Sequence, residues 1–278
     1  RPLEGKPKTC SLVRDGDALF EVMNRLHEET GISEFQILDE NFLTDRPRAL
    51  RLADRCEAQG RAFEFFTFSS VKALSQYSAE ELVRIGLSSV WLGLEGRRAG
   101  YGKLSGEDPA ALVQRLTGHG ILVCGSMIIG FDYQDPEIIR EELARNLDTG
   151  LTFLQCLIYG PTPGTPLYRR LDREERWLGG RYGVEPPYAR CDGFALTYRH
   201  PTIGPREMAD LQAECYQEDL GRLGFSIYRA MEAWLDGYRR LRVHPEPCLA
   251  RRAALYRSKL IAARPLVPVG LRRTASRD

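Results

Sequence analysis

Five short apolar runs recur at a nearly constant interval, and this repeat limits the possible folds more than any other feature of the chain. They are FQILD (35–39), AFEFFTF (62–68), SVWLGLE (89–95), ILVCGSMII (121–129) and TFLQCLIY (152–159), and their starts are 27, 27, 32 and 31 residues apart. Most of the runs are continuously apolar, which is typical of strands in a parallel sheet covered by helices. We therefore predict five parallel strands.

Helix-forming segments lie before and between these runs, with recognisable start and stop signals. Gly31 and Gly60 each follow such a segment and are typical helix stops. The pair Ser78 and Glu81 has capping-box spacing, and two further segments begin with Asp-Pro at 108–109 and 135–136. A repeated strand–helix–strand unit gives either an open doubly wound sheet or a curled barrel. In both architectures, ligands bind at the carboxyl ends of the strands.

Composition excludes several classes of function. The 278 residues are 43% hydrophobic and 28% charged, enough for one or two domains with a substantial core. A net charge of +1 gives no indication of a nucleic-acid partner, and we interpret the basic segment after residue 250 as a solvated tail. No run is long enough for a transmembrane helix, and no signal peptide opens the chain. Because the first residue is Arg1 and not Met, we expect a processed product or a piece that begins partway through a longer protein.

The seven cysteines are scattered, and no two of them form a CxxC or CxxxCxxC motif. Their odd number and wide spacing argue against a disulfide framework and for a reducing, cytoplasmic compartment. The sequence therefore contains no local cysteine cluster for zinc or for an iron–sulfur centre. We interpret Cys124 and Cys156, which lie in apolar runs, as core residues, and we assign no metal-binding role to the histidines.

Polar residues follow the first two predicted strands. Asp39, Glu40 and Asn41 end the first, where they either recognise a ligand ammonium or hydroxyl group or cap the helix that follows. Ser69 and Ser70 end the second and are typical turn residues.

The ends of the next two strands carry a carboxylate and two glycines. Glu95 follows an apolar run, so it needs a hydrogen-bonding partner, either a nearby arginine or a ligand. Gly125 and Gly130 lie within and after the fourth strand. Glycine at such positions indicates either a bulge or the close approach of another backbone or of a flat ligand.

The stretch GPTPGTPLY (160–168) follows the fifth strand as a stiff loop with few free backbone donors. Together with Tyr159, Pro161 and Pro163 form an apolar wall. Such a wall suits a flat, aromatic or methylated ligand better than a bare phosphate.

Four segments resemble, in order, successive strands of radical S-adenosylmethionine (SAM) enzymes, and most closely the class with an N-terminal cobalamin-binding domain. They are FQILDENFLTDRPRALRLADRC, FTFSSVKALSQYSAEELVRIGLSSVWLGLEG, GHGILVCGSMIIGFDYQDPE and LIYGPTPGTPLYRRL. The resemblance covers roughly residues 8–172. It implies an α/β fold, a partial (β/α)6 TIM-like barrel over residues 1–172 that lacks its first strand. A mainly helical extension over residues 173–278 follows.

The resemblance also implies an activity. In this family three thiolates of a CxxxCxxC loop hold a 4Fe–4S cluster, which reductively cleaves SAM to a 5′-deoxyadenosyl radical. In the cobalamin class, cobalamin typically relays a methyl group to an unactivated carbon or phosphorus. The implied partners are a small-molecule or lipid-like substrate and an electron donor such as flavodoxin or ferredoxin.

Carried over position by position, the resemblance implies SAM contacts at ten residues, and it assigns no catalytic residue and no metal ligand in this chain. The ten are Glu40, Asn41, Ser69, Ser70, Glu95, Gly125, Ile128, Gly130, Tyr159 and Pro161.

The missing CxxxCxxC is a large departure from the family pattern. Because RPLEGKPKTCSLVRDG resembles the segment just after that motif, we expect the first strand and the cluster loop upstream of residue 1. The chain alone should then neither assemble the cluster nor cleave SAM, and its first run should form an unpaired, aggregation-prone edge. A non-catalytic scaffold that has lost the cluster is the alternative. An ordinary βα-barrel enzyme of acid–base chemistry would need a histidine or lysine at a strand end, and none of the five ends supplies one clearly.

Overall fold

Five parallel strands lie side by side in chain order in the computed structural model, which describes residues 13, 15–39, 41–94, 107–179 and 191–268. The strands are β1 (Glu34–Ile37), β2 (Glu64–Ser69), β3 (Leu87–Gly93), β4 (Leu122–Ile129) and β5 (Phe153–Ile158). The pairing is parallel throughout, with one irregularity in β2 between Phe65 and Phe66. The prediction of an α/β fold with five parallel strands is therefore confirmed.

The strand order distinguishes between the two architectures that the repeat left open. A doubly wound sheet reverses direction once, whereas the described strands advance in one direction from β1 to β5. With right-handed crossovers, such an advance places the connecting helices on the same face of the sheet. β1 and β5 are the two edges of this sheet and do not pair with each other, so the described strands do not close into a barrel.

The helices begin and end where the sequence signals predicted. Ser78 and Glu81 form the capping box, and Asp108 and Asp135 each accept a backbone N–H at a helix start. Gly31 ends the first helix in the left-handed conformation with φ 75°. The helices are α1 (Gly16–Thr30), α2 (Arg46–Ala58), α3 (Val71–Leu74), α4 (Ala79–Ile85), α5 (Pro109–Thr117), α6 (Pro136–Leu147), α7 (Pro166–Arg173), α8 (Pro205–Leu223), α9 (Ser226–Leu241) and α10 (Pro247–Ala263), with short 3-10 helices at Phe42–Thr44 and Arg264–Leu266.

The two faces of the sheet are buried to different extents. Residues that face the helices, such as Val90, Val123 and Ile129, are fully buried. The intervening residues are mostly half-buried, so among the described residues helices cover one face of the sheet more completely than the other. The second face, here called the open face, is uncharged along the residues listed next and includes an aromatic group. Its residues are Gln36, Phe66, Phe68, Ser89, Trp91, Gly93, Cys124, Ser126, Ile128, Phe153, Gln155 and Leu157.

Helices α9 and α10 close the amino ends of the strands. The Lys259 ammonium of α10 lies 2.9 Å from Glu64 and 3.7 Å from Glu34, two acidic residues that face each other at the start of β2 and β1. The Tyr256 hydroxyl donates to the His119 carbonyl just before β4, at 3.0 Å. We call these contacts at the amino ends of the strands the floor.

The free edge of β5 is covered by α8. Gln212 donates to the carbonyl oxygens of Cys156 and Gly193, both at 2.8 Å, and the Tyr216 hydroxyl contacts the Cys156 N–H and carbonyl at 3.2 and 3.0 Å. At the opposite edge, β1 pairs with β2 on one side and has no strand partner on its outer side among the described residues. Within the described part of the chain, no helix is long and apolar enough to cross a membrane.

Candidate functional site

The carboxyl ends of the strands carry the predicted site. Two of the ten predicted residues, Glu40 and Glu95, lie outside the described residues. The others lie at or just after the ends of β1, β2, β4 and β5, apart from Gly125, which lies inside β4. Because parallel strands end at the same side of a sheet, these residues share one side of the molecule.

The polar residues at the end of β1 had two interpretations, helix capping and ligand recognition, and they differ in which of these roles their contacts suit. Helix α2 is capped by Asp45, whose carboxylate accepts the Arg48 N–H at 3.1 Å. The Asp39 carboxylate lies 2.5 Å from the Arg48 guanidinium. Asn41 precedes the 3-10 helix but makes no capping hydrogen bond, and its Oδ1 is buried without a partner in the described structure. An unsatisfied buried acceptor costs about 1–3 kcal/mol of stability. A hydrogen bond from a ligand donor to Asn41 Oδ1 would remove this cost.

The two serines after β2 differ. Ser70 caps α3 by accepting the Ala73 N–H at 3.3 Å, which agrees with a turn residue. Ser69 pairs in register with Leu92, and its Oγ is buried with no hydrogen-bond partner among the described residues. The ends of β1 and β2 therefore present two unsatisfied oxygens, on Asn41 and Ser69.

The two glycines of β4 have different surroundings. The ladder runs without a bulge through Gly125, and a Cβ there would lie 2.6 Å from Leu151 and 2.9 Å from Leu94. Side chains, not a second backbone, therefore fill the space beside Gly125. Gly130 has φ +101°, a left-handed conformation that side chains rarely adopt, so it forms the turn that ends the strand.

Gln134 organises the loop after β4, residues 130–134, here called the rim loop. Its Oε1 accepts the N–H groups of Gly130 and Phe131 at 2.7 and 2.9 Å. Its Nε2 donates to Glu142 at 2.8 Å and to the Ile128 carbonyl at 3.3 Å. Only 1% of Gln134 is exposed. Gln134 was not among the predicted site residues, although a glutamine four residues after a turn glycine is a signal of such a loop.

Three aromatic rings lie together at this rim, two from the rim loop and one from the end of β5. Phe131 stacks on Tyr133 with centroids 5.7 Å apart and lies 4.9 Å from the ring of Tyr159. After Tyr159, Pro161 is buried and its carbonyl accepts from the Cys191 thiol at 3.7 Å, while Thr162–Gly164 are exposed. Ile128 lies on the open face beside Leu157.

The cysteines of the described chain do not form a metal site. No group of three histidine, cysteine or acidic residues in that part of the chain is arranged to hold a metal ion. Burial raises the pKa of Cys56 and of Cys124 to about 11, so both are protonated thiols at neutral pH and not thiolate ligands. Cys10 lies outside the described residues.

A polar cleft of about 470 Å³ lies elsewhere, on the helical side of the molecule. Its arginine already pairs with acidic residues, since Arg84 lies 2.8 Å from Glu57 and 2.7 Å from Asp54. The cleft contains none of the predicted site residues. It is lined by Glu57, Ser78, Glu80, Glu81, Arg84 and Glu246.

Comparison with known proteins identifies a methyltransferase relative and a structural neighbour. No protein-family model matches the chain. An uncharacterized methyltransferase of Pyrococcus horikoshii is 27% identical over 163 residues, which are 55% of this chain and 34% of that protein. The chain thus spans about a third of the length of the curated relative that it matches.

The structural neighbour is the radical SAM methyltransferase TsrM from Kitasatospora setae, solved with cobalamin and a 4Fe–4S cluster bound. The two structures superpose with a TM-score of 0.55 at 16% identity, over 90% of this chain and 56% of TsrM. At this identity the likeness shows a shared fold. The fold is therefore an α/β arrangement like that of TsrM.

Proposed function

We propose that this chain forms the SAM-binding part of a methyl-transferring enzyme of the radical SAM type. The observation that carries the proposal is the pair of buried, unsatisfied oxygens, Asn41 Oδ1 and Ser69 Oγ, at the ends of neighbouring strands. SAM carries an ammonium group and ribose hydroxyls, which are the donors that such oxygens lack. The methyltransferase relative and the fold of TsrM support the same conclusion.

The residues at the strand ends fit SAM as a ligand. Asn41 and Ser69 offer acceptors for its polar groups, while the half-buried Ile128 and Tyr159 offer apolar surface for its adenine. When bound, SAM supplies an activated methyl or adenosyl group. The open face beside this site is uncharged among the described strand residues above Glu34 and Glu64 and carries the rings of Phe66, Phe68 and Trp91, which suits a small-molecule or lipid-like substrate.

The described residues do not fit the iron–sulfur cluster. They contain no group of three suitable ligands, so the thiolates of a radical SAM cluster would have to come from another part of the protein. No residue of this chain is assigned to cobalamin. Radical cleavage is thus the part of the proposal that depends on groups outside the described structure.

Equilibrium binding of SAM, measured by calorimetry on the 278-residue chain, tests the site. Asn41→Leu and Ser69→Ala each remove an unsatisfied oxygen. We therefore expect each variant to bind SAM about tenfold more weakly, while the free chain keeps its stability or gains up to about 1 kcal/mol.

Thr149→Val is the matched control. The buried Thr149 hydroxyl already donates to the Asn146 carbonyl at 2.7 Å, and Thr149 precedes β5, on the side of the amino ends of the strands. Its loss should destabilise the free chain by about 1 kcal/mol and leave SAM affinity unchanged. Absence of SAM binding, or equal binding by wild type and both site variants, would contradict the proposal.

Anaerobic reconstitution of the full-length protein with iron and sulfide tests the radical part. Cluster absorbance together with release of 5′-deoxyadenosine from SAM supports it. Binding of SAM without 5′-deoxyadenosine favours the alternative, a SAM-binding scaffold without radical chemistry.

A further inference from the structure

Three consecutive residues of the rim loop are each held by the part of the chain that follows α7. The Tyr198 hydroxyl donates to the Gly130 carbonyl, and His200 Nε2 donates to the Phe131 carbonyl at 2.9 Å. Arg176 donates to both carboxylate oxygens of Asp132, at 2.7 and 3.0 Å. We call Arg176, Tyr198 and His200 the clamp.

The clamp is itself fixed in place. Because a carbonyl only accepts, His200 carries its proton on Nε2, and its Nδ1 accepts the N–H groups of Thr202 and Ile203 at 3.3 and 3.2 Å. Tyr198 is 1% exposed, and the Arg176 guanidinium lies over its ring at 5.6 Å. The Arg176 Nε also donates to the Arg199 carbonyl at 2.8 Å. Each clamp residue therefore has a single well-defined position.

Gln134 holds the other side of the same backbone. It accepts the N–H groups of Gly130 and Phe131, whose carbonyl groups are bonded by Tyr198 and His200. The peptide groups on both sides of the Gly130 turn are thus fixed by one side chain of the loop itself, Gln134, and by two from the distant part of the chain after α7. A binding site that is preorganised needs its backbone held by supporting hydrogen bonds of this kind.

The fixed loop presents the aromatic rim. Phe131 belongs to the loop and packs on Tyr159, whose N–H donates to the Ile129 carbonyl at 2.7 Å. A shift of the Phe131 backbone would separate its ring from Tyr159 and Tyr133. The clamp therefore determines where the aromatic surface next to Ile128 and Gly130 lies.

We propose that Arg176, Tyr198 and His200 are positioning residues of the ligand site, so that the part of the chain after α7 completes the site and is not a mere appendage. This inference rests on the proposed function, since it takes the ligand to be SAM. It assigns a role to three residues whose partners lie 44 to 69 positions away in sequence.

Tyr198→Phe tests the proposal by removing one hydroxyl. We expect amide hydrogen exchange in the peptide that covers residues 128–134 to accelerate about tenfold or more, since exchange reports local opening. We also expect the Kd for SAM to rise about tenfold. Both measurements use the 278-residue chain.

Tyr256→Phe is the matched control, because Tyr256 is equally buried and also donates to a backbone carbonyl, that of His119. It lies at the floor, so its loss should weaken folding similarly but leave exchange in residues 128–134 and SAM affinity unchanged. This contrast separates positioning from general stability.

A second matched pair applies if Tyr198→Phe fails to fold. Arg176→Lys loses the two-pronged contact with Asp132, and Arg229→Lys loses an equivalent contact with Asp219, at 2.7 and 2.9 Å between α9 and α8. Only Arg176→Lys should weaken SAM binding, by about threefold to tenfold.

The outcomes are distinguishable. Wild-type chain that binds no SAM overturns the proposed function and this inference with it. Wild-type binding that Tyr198→Phe and Arg176→Lys retain in full overturns this inference alone, as does unchanged hydrogen exchange in residues 128–134. Weaker binding and faster exchange in the clamp variants, with both controls like wild type, support it.

Discussion

Asp132 links the clamp to the stability of the folded chain through its charge. Hydrogen bonds from Arg176 hold the pKa of Asp132 below its ordinary value of 3.8, and they outweigh partial burial, which acts in the opposite direction. Arg170 adds a further contact at 2.6 Å. Since the folded-state pKa is the lower one, the ionised carboxylate stabilises the fold at neutral pH.

We predict that Asp132→Asn lowers the free energy of unfolding by about 1 kcal/mol at pH 7. The pKa of Asp132 is depressed in the folded state, so the stabilisation is complete above the unfolded-chain value. It is lost as the pH falls through the folded-state value. The difference between wild type and variant should therefore stay constant from pH 8 to about 5 and shrink below about pH 4.

Urea unfolding at several pH values measures this difference. The exposed Asp210 of α8 supplies a control, since Asp210→Asn should change the free energy of unfolding by less than about 0.5 kcal/mol at every pH. A difference for Asp132→Asn that grows on acidification would refute the assigned direction.

For single residues, the sequence predicts those contacts whose two partners are close along the chain. The capping box of Ser78 and Glu81 and the caps at Asp108 and Asp135 were predicted, because each cap bonds a backbone group three residues away. Tyr198 is different, because its hydroxyl bonds a carbonyl 68 residues away. No local pattern marks such a contact, which is why the clamp went unpredicted.

Helix α9 docks on the sheet through a contact between two glycines. A Cβ on Gly237 would lie 2.7 Å from the Gly120 Cα and 2.8 Å from the Tyr256 ring. Gly120 itself has φ +84° and forms the turn that leads into β4. The helix therefore approaches the backbone of the turn as closely as the absence of a side chain allows.

We predict opposite effects of the same substitution in two helices. Glycine to alanine inside a helix normally stabilises by about 1 kcal/mol, so Gly221→Ala in α8, where nothing lies within 4 Å of the new Cβ, should raise the free energy of unfolding by 0.5–1 kcal/mol or so. Gly237→Ala should lower it by roughly 1–3 kcal/mol, since the new methyl group meets backbone. Thermal and urea unfolding measure both, and equal effects would contradict the docking described above.

The positions of the strands and helices were predicted better than the groups that pack against them. Strand and helix positions follow from apolar runs and caps, which are local. The apolar runs predicted a sheet covered by helices, but on the open face Phe66, Phe68 and Trp91 pack on one another, with centroids 5.2–6.3 Å apart. Hydrophobicity alone does not say whether the neighbour of a side chain is a helix, another ring or a ligand.

At the scale of the whole molecule, the two edge strands differ in whether their outer backbone groups have hydrogen-bond partners. Side chains of α8 satisfy the edge of β5, whereas β1 has no partner on its outer side in the described structure. Two large apolar residues flank β1 and are strongly exposed, Ile32 at 52% and Leu38 at 72%. An apolar, unpaired edge of this kind favours association between chains.

We predict that the 278-residue chain self-associates through β1. Leu38→Lys places a charge beside the edge and should shift the chain toward monomer in size-exclusion chromatography with light scattering. Val243→Lys is the control, because Val243 is equally exposed, at 75%, but lies after α9. Monodisperse wild-type chain with a sharp, reversible thermal transition would contradict the prediction.

The floor contacts, at the amino ends of the strands, determine the order in which the chain can fold during synthesis. Each strand pairs with its neighbour in sequence, so the sheet can assemble stepwise as the chain leaves the ribosome. The bond between Tyr256 and His119 spans 137 residues, and Lys259 reaches back to the first strand. Closure of the floor therefore waits until α10 has been synthesised, and a chain interrupted before α10 would carry an assembled sheet in which Glu34 and Glu64 lack the Lys259 ammonium.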